Sequence, residues 1–210
     1  MKWNSPVKDC SNLFDNLNNI IKIDLSKFYS SSITNLNRMF SGCSKLTTII
    51  FDNFNTSLVE DMSFMFCGCH LLISLNLTML DTSKVKYMDR MFYGCSSLTT
   101  LDLNNFRTYN VRYMKAMFDG CSSLISLNID NFNTSLVEDM GYMFFRCNLL
   151  ISLNLTMFDT SKVKYMTYMF CGCSSLTTLD LSYLIEIFLY KKVKNLPKIK
   201  RISYSENSNV

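Results

Sequence analysis

The chain has 210 residues, of which 48% are apolar and 18% charged, with a formal charge of +4. That is enough apolar mass for a sizeable core, so wholesale disorder is excluded. No apolar run is long enough to cross a bilayer as a helix.

The first six residues, Met1 to Pro6, lack the apolar stretch of a secretory signal, and a cytosolic protein, a fragment or a mature form is expected. Residues 1–9 read as a lead. Over 10–38, Leu17, Ile20, Ile23, Leu25, Phe28, Ile33 and Leu36 keep the spacing of the later repeats, as a worn first repeat. From there the dipeptide Met-Phe recurs with a constant period of 26, at 39, 65, 91, 117, 143 and 169, and a cysteine stands three places after each Phe. Self-similarity at such a period signals stacked repeats. A longer duplication overlies it, since residues 54–103 and 132–181 match at 41 of 50 positions.

Within a repeat, Leu98-x2-Leu101-x-Leu103 carries the period-2 step of a short strand, with Leu101 and Leu103 on one face. Val85-x2-Met88-x2-Met91-Phe92 steps by three and then one, which predicts a helix or a 3₁₀ turn. Ser57-x-x-Glu60 and Ser135-x-x-Glu138 have the form of capping boxes, and Asp81 and Asp159 offer N-cap oxygens. One such unit cannot bury its own apolar side. Stacked units can, because columns such as Phe40, Phe66, Phe92, Phe118, Phe144 and Phe170 meet themselves. After Leu184 the pattern fades, although Leu196, Ile199 and Ile202 still fall on the Phe, Cys and Leu columns.

Cysteine followed by L-x2-L-x-L, in Met91-Phe92-Tyr93-Gly94-Cys95-Ser96-Ser97-Leu98-Thr99-Thr100-Leu101-Asp102-Leu103, resembles the BspA-type leucine-rich repeat surface proteins. Segments such as Phe158-Asp159-Thr160-Ser161-Lys162-Val163 add to the resemblance, which covers roughly 10–184. It implies surface display, with adhesion or host interaction. The expected fold is α/β: a right-handed leucine-rich-repeat solenoid with a parallel sheet on one face and short helical or 3₁₀ turns on the other. The solenoid spans 10–184, and 185–210 form a divergent last turn and basic tail.

The cysteine column sits on apolar positions, and its first-repeat member is Leu17, so buried small hydrophobes are expected rather than ligands or nucleophiles. Cys67, Cys69 and His70, or Cys171 and Cys173, fall short of the four ligands of a zinc site. With one histidine and no phosphate-binding or dinucleotide fingerprint, neither an enzyme nor a cofactor is expected. Glycines at 42, 68, 94, 120 and 172 form a turn column broken by Arg146. The column Glu60, Lys86, Arg112, Glu138, Lys164 sets opposite charges side by side at three of its four steps.

Without residues 183–210 the basic and acidic residues balance at 15 each, so the excess charge lies in the tail with Lys191, Lys192, Lys194, Lys198, Lys200 and Arg201. No basic stripe runs along the array, and nucleic-acid binding is not expected. Asn55, Asn76, Asn133 and Asn154 begin N-x-Ser/Thr sequons.

The exposed side of the strands is the candidate ligand surface: Asn76, Thr100, Asp102, Ser126, Asn128, Ser152, Asn154, Thr178 and Asp180. These short polar groups suit a protein or glycan partner. The expected role is non-enzymatic recognition, with adhesion at the cell surface. The alternative is a cytoplasmic scaffold that binds a protein, which the absence of a signal and the unpaired thiols favour.

Overall fold

A computed structural model describes residues 7–180 and 201–203. The chain winds into stacked coils with a parallel ladder on each of two sides. Among the described residues one side carries seven strands: β1 Lys22–Asp24, β2 Thr48–Ile50, β3 Thr100–Asp102, β4 Ser126–Asn128, β5 Ser152–Leu153, β6 Thr178–Asp180 and β7 Arg201–Ser203. They form pieces β1-β2, β3-β4 and β5-β6-β7, all parallel. In register Ile23 pairs with Ile49, Leu101 with Leu127 and Leu153 with Leu179, each pair one full period apart. The ladder lapses at Ser74–Asn76. Entry is kept by the Thr99 N–H on the Ile73 carbonyl, 3.1 Å. Beyond it the Asn105 side-chain amide donates to the Leu77 carbonyl, 3.1 Å.

The other side is a run of single parallel bridges, Asp9–Asn35–Asp61–Tyr87–Tyr113–Asp139–Tyr165. From each bridge the chain enters a ribbon of tight turns, in place of the helical or 3₁₀ turns that the apolar step predicts. The described residues contain no helix. The reason is where the backbone donors go. An α-helix needs each N–H on the carbonyl four residues back. Here the N–H groups of Met88, Arg90, Phe92 and Gly94 reach instead the carbonyls of Tyr113, Lys115, Met117 and Asp119 in the next coil, at 2.7–3.0 Å. The N–H groups between them close short turns within the coil, Met91 on Met88, Tyr93 on Arg90 and Cys95 on Phe92. Such alternation needs a left-handed residue every fourth position. Arg90 (φ 53°) and Gly94 (φ 71°) supply it in this coil, and Phe64, Ala116, Tyr142 and Tyr168 do so in their own. The apolar step of three is therefore the step of a turn.

The capping boxes are turns as well. Asn55 Oδ1, not Ser57, accepts an N–H, that of Ser57 at 2.9 Å, while the Glu60 N–H goes to the Thr34 carbonyl. Asp81 and Asp159 accept from Ser83 and Ser161 in the same way. An Asn or Asp side chain bonded two residues on makes an Asx turn, and the residue types that cap helices also make these turns.

Between the two ladders lies one continuous core. Seven phenylalanines, Phe14 to Phe170, stack ring on ring with centroids 5.5–5.6 Å apart and planes within 11°. Offset stacking of this kind adds to burial. The methionines at 62, 88, 114, 140 and 166 and the column cysteines from Cys43 to Cys173 are buried beside them. Leu17, at the head of the cysteine column, is exposed, so that column is buried only from Cys43 onward. A column of threonines, Thr56, Thr82, Thr108, Thr134 and Thr160, is also buried. Thr108 donates to the Asn133 carbonyl (2.9 Å) and accepts the Asn133 N–H (2.8 Å), so one hydroxyl replaces a pair of ladder bonds.

At the end of the array Ile202 pairs with Leu179 rather than with the Leu176 column, so this last step falls short of a full period. The lead up to Pro6, and most of the fading turn and basic tail, lie outside the described residues.

Candidate interaction surfaces

The sheet side presents the residues that the sequence singles out. Thr100 faces Ser126, Asp102 faces Asn128, and Ser152 faces Thr178 in register; Asp180 ends β6. Thr100, Asp102, Ser152 and Asn154 are exposed and Asn128 is half-buried. The acids and amides also hold their own backbone. Asp102 Oδ1 accepts the Asn104 N–H (3.0 Å) and Asn128 Oδ1 that of Asp130 (3.3 Å). Asn76, which lies in the gap of the ladder, accepts from the Thr78 N–H and hydroxyl, and Asn154 accepts likewise from Thr156. Asn154 then donates to Asp130 Oδ1, 3.0 Å. The Asn and Asp side chains thus keep part of their hydrogen-bonding capacity for a partner, while the exposed hydroxyls of Thr100, Ser126 and Ser152 stand between them. The sequons at Asn55, Asn76, Asn133 and Asn154 each place Oδ1 in an Asx turn.

Sequence reasoning misses the ribbon side, and its chemistry differs. Tyr87 stacks on Tyr113 at 5.7 Å. Phe64 lies between the guanidinium groups of Arg38 (4.5 Å) and Arg90 (5.3 Å). Tyr142 packs against Tyr168 and Phe145, and Arg146 lies over the Phe145 ring. Burial pushes the carboxyl of Asp89 up to about 6, against the Lys115 N–H that it accepts and with Asp139 adding to the rise. Burial also raises Asp119 to about 6, with Arg146 and Arg90 pulling the other way. Tyr and Arg are enriched at binding hot spots.

Each column thiol from Cys69 to Cys173 donates to a Phe carbonyl of the preceding coil, at 3.0–3.2 Å. Burial raises all of them, Cys173 to about 12 and Cys95, Cys121 and Cys147 well above their ordinary value. A thiol this reluctant to ionise is a poor nucleophile and a poor ligand. Cys67 and Cys171 are half-buried. The His70 ring donates through Nδ1 to the Gly94 carbonyl, 2.8 Å. Among the described residues no group of three or more His, Cys, Asp and Glu is placed to hold a metal ion. Among the same residues no helix is long and apolar enough to cross a membrane. Ion pairs form at the three opposite-charge steps: Glu60–Lys86 (2.8 Å), Arg112–Glu138 (3.7 Å) and Glu138–Lys164 (2.6 Å). All are exposed enough to contribute little.

Fold and surfaces together define a parallel repeat solenoid, closed inside and patterned outside. The chain matches the family described as "Mycoplasma protein of unknown function, DUF285" over residues 8–124 and 97–196, and it belongs to that family. No curated protein is significantly similar to it. Among solved structures it is similar to a leucine-rich repeat protein of T. pallidum, at 17% identity and a TM-score of 0.48, covering 84% of this chain and 74% of that one. A leucine-rich repeat protein of Eubacterium ventriosum gives 19% identity and a TM-score of 0.47, covering 76% and 44%. One of Bacteroides ovatus gives 15% and 0.36, covering 88% and 74%.

Proposed function

We propose that this protein is a non-enzymatic recognition module of the BspA-like kind, displayed at the cell surface, that holds a protein partner across its sheet side. The observation that carries the reading is the sameness of that side. Ser74, Asn76, Thr78, Thr100 and Asp102 recur unchanged as Ser152, Asn154, Thr156, Thr178 and Asp180 in the second copy of the duplicated segment. A lattice repeated along an array offers many equivalent weak contacts, which suits an extended partner held by several coils at once.

Two measurements test it. Protease shaving of intact cells is expected to release peptides of residues 39–180; an array protected beside an intact cytosolic control would replace adhesion with an internal scaffold. Asp102→Lys with Asn128→Lys is then expected to abolish retention of the surface partner by the immobilised chain. Undiminished retention would remove the sheet side from the reading.

A further inference from the structure

The ribbon side holds a depression of about 260 Å³ lined by Lys115, Asp139, Gly141, Tyr142, Tyr165 and Thr167. It exists where a side chain is missing. The position of Gly141 is held by Ser63, Asp89, Lys115 and Thr167 in other coils. Gly141 has no positive φ, so no strained turn requires the glycine there.

The walls are defined. Asp139 is bridged to Tyr165, and its Oδ1 accepts the Gly141 N–H at 2.8 Å. Its Oδ2 stands 4.0 Å from Lys115 Nζ. Tyr165 is 61% exposed and so presents its ring to solvent. Tyr142 is braced by Tyr168 at 5.4 Å and Phe145 at 5.5 Å.

These features select a ligand chemistry. The volume falls below the roughly 300–1,000 Å³ usual for drug-sized ligands, so the depression admits one ring rather than a stretch of peptide. The carboxylate and the ammonium cancel, which disfavours both an anion and a cation. A carboxylate only accepts and an ammonium only donates, whereas a hydroxyl does both. Hydroxyls on adjacent ring carbons therefore fit between Asp139 and Lys115. The tyrosine rings offer an amphipathic wall for the C–H face of a saturated ring.

We propose that this depression binds one pyranose ring of a neutral glycan, with Asp139 and Lys115 taking vicinal hydroxyls and Tyr165 and Tyr142 packing against the ring. The site is separate from the sheet side and does not depend on the partner proposed there.

The duplication supplies a control. The matching place in the first copy has Asn37, Asp61, Ser63, Phe64, Tyr87 and Asp89. There Ser63 is buried, Asn37 Nδ2 donates to Asp61 Oδ2 at 3.2 Å, and Phe64 is held between two arginines. The test applies the full chain to an array of neutral oligosaccharides, including maltotriose, cellotriose, chitotriose and lactose, beside sialyllactose. Neutral sugars are expected to bind and sialyllactose to bind less well. By calorimetry with the best neutral sugar, Gly141→Ser and Tyr165→Ala are each expected to lose about tenfold or more in affinity. Ser63→Gly and Asp102→Lys are expected to change nothing. Because Ser63 already fills this place in a folded coil, Gly141→Ser is expected to keep the wild-type circular dichroism. No binding by any neutral sugar, a preference for sialyllactose, or indifference to both Gly141→Ser and Tyr165→Ala would overturn the site.

Discussion

The two copies, residues 54–103 and 132–181, differ at nine positions, and the differences are not spread evenly. Eight lie on the turn ribbon, among them Ser63/Gly141, Gly68/Arg146, Asp89/Thr167 and Arg90/Tyr168, and one, Leu80/Phe158, lies in the core. None lies on the sheet side. The ribbon admits this variety because its outward side chains do not set the stack. The backbone bonds between ribbon coils and the inward columns do that; the bonds of Met62 to Gly68 match those of Met140 to Arg146, and the columns differ only at Leu80/Phe158. The copies therefore share a scaffold and one face, and differ in the other face by charge, size and aromaticity.

If the scaffold is equivalent in both copies, equal cuts should cost the same. Phe66→Ala and Phe144→Ala remove rings from the same stack, each between two stacked neighbours. Each is expected to lose about 3–5 kcal/mol in urea denaturation. A clear inequality would show that the copies are not mechanically alike. The threonine column allows a finer comparison. Thr56→Val keeps the shape and removes the bond to the Asp81 carbonyl; it is expected to cost about 1–3 kcal/mol. Thr134→Val, which loses the bond to the Asp159 carbonyl, is expected to fall in the same range.

The smallest effect should separate the copies, because Asp89 is Thr167 in the second. Its folded-state value of about 6 lies above the ordinary 3.8, so the folded chain binds the proton more tightly than the unfolded chain. Stability contributed by this group is therefore present at low pH and lost as pH rises through about 6. Asp89→Asn is expected to raise stability at pH 7 by about 1 kcal/mol, discounted for partial exposure. It should also flatten the fall in melting temperature between about pH 4 and pH 6. An unchanged pH profile would mean that Asp89 is not desolvated.

The stacking is legible in the sequence because burial demands the same residue at each turn of the coil, and Phe, Leu and Met columns state that demand openly. The turn ribbon is not. Of its two left-handed positions only one carries glycine; the other holds Arg38, Phe64, Arg90, Ala116, Tyr142 and Tyr168, which give no sign of a positive φ. The Asx turns pass for helix caps because Asp and Asn bond a nearby N–H in both. Sheet exposure follows from alternation, as at Leu101-Asp102-Leu103. The depression at Gly141 has a signal, the exchange of Ser63 for glycine between the copies, but its meaning needs the neighbours that only stacking brings together.

Within the tight turns, the backbone hydrogen bonds that tie one ribbon coil to the next point one way, whereas at the bridge an N–H of each coil, such as that of Lys86 on the Glu60 carbonyl, runs back. In each of the six steps among the described coils, four N–H groups of the turns aim at the C-terminal neighbour and four carbonyls aim back. Their dipoles add along the array, in the opposite sense to those of an α-helix, whose N–H groups face its N-terminus. The turn ribbon is thus electrically polar along its described length. Its final coil calls for a cover rich in acceptors, its first for one rich in donors. Copying coils into the middle, however often, leaves both requirements as they were.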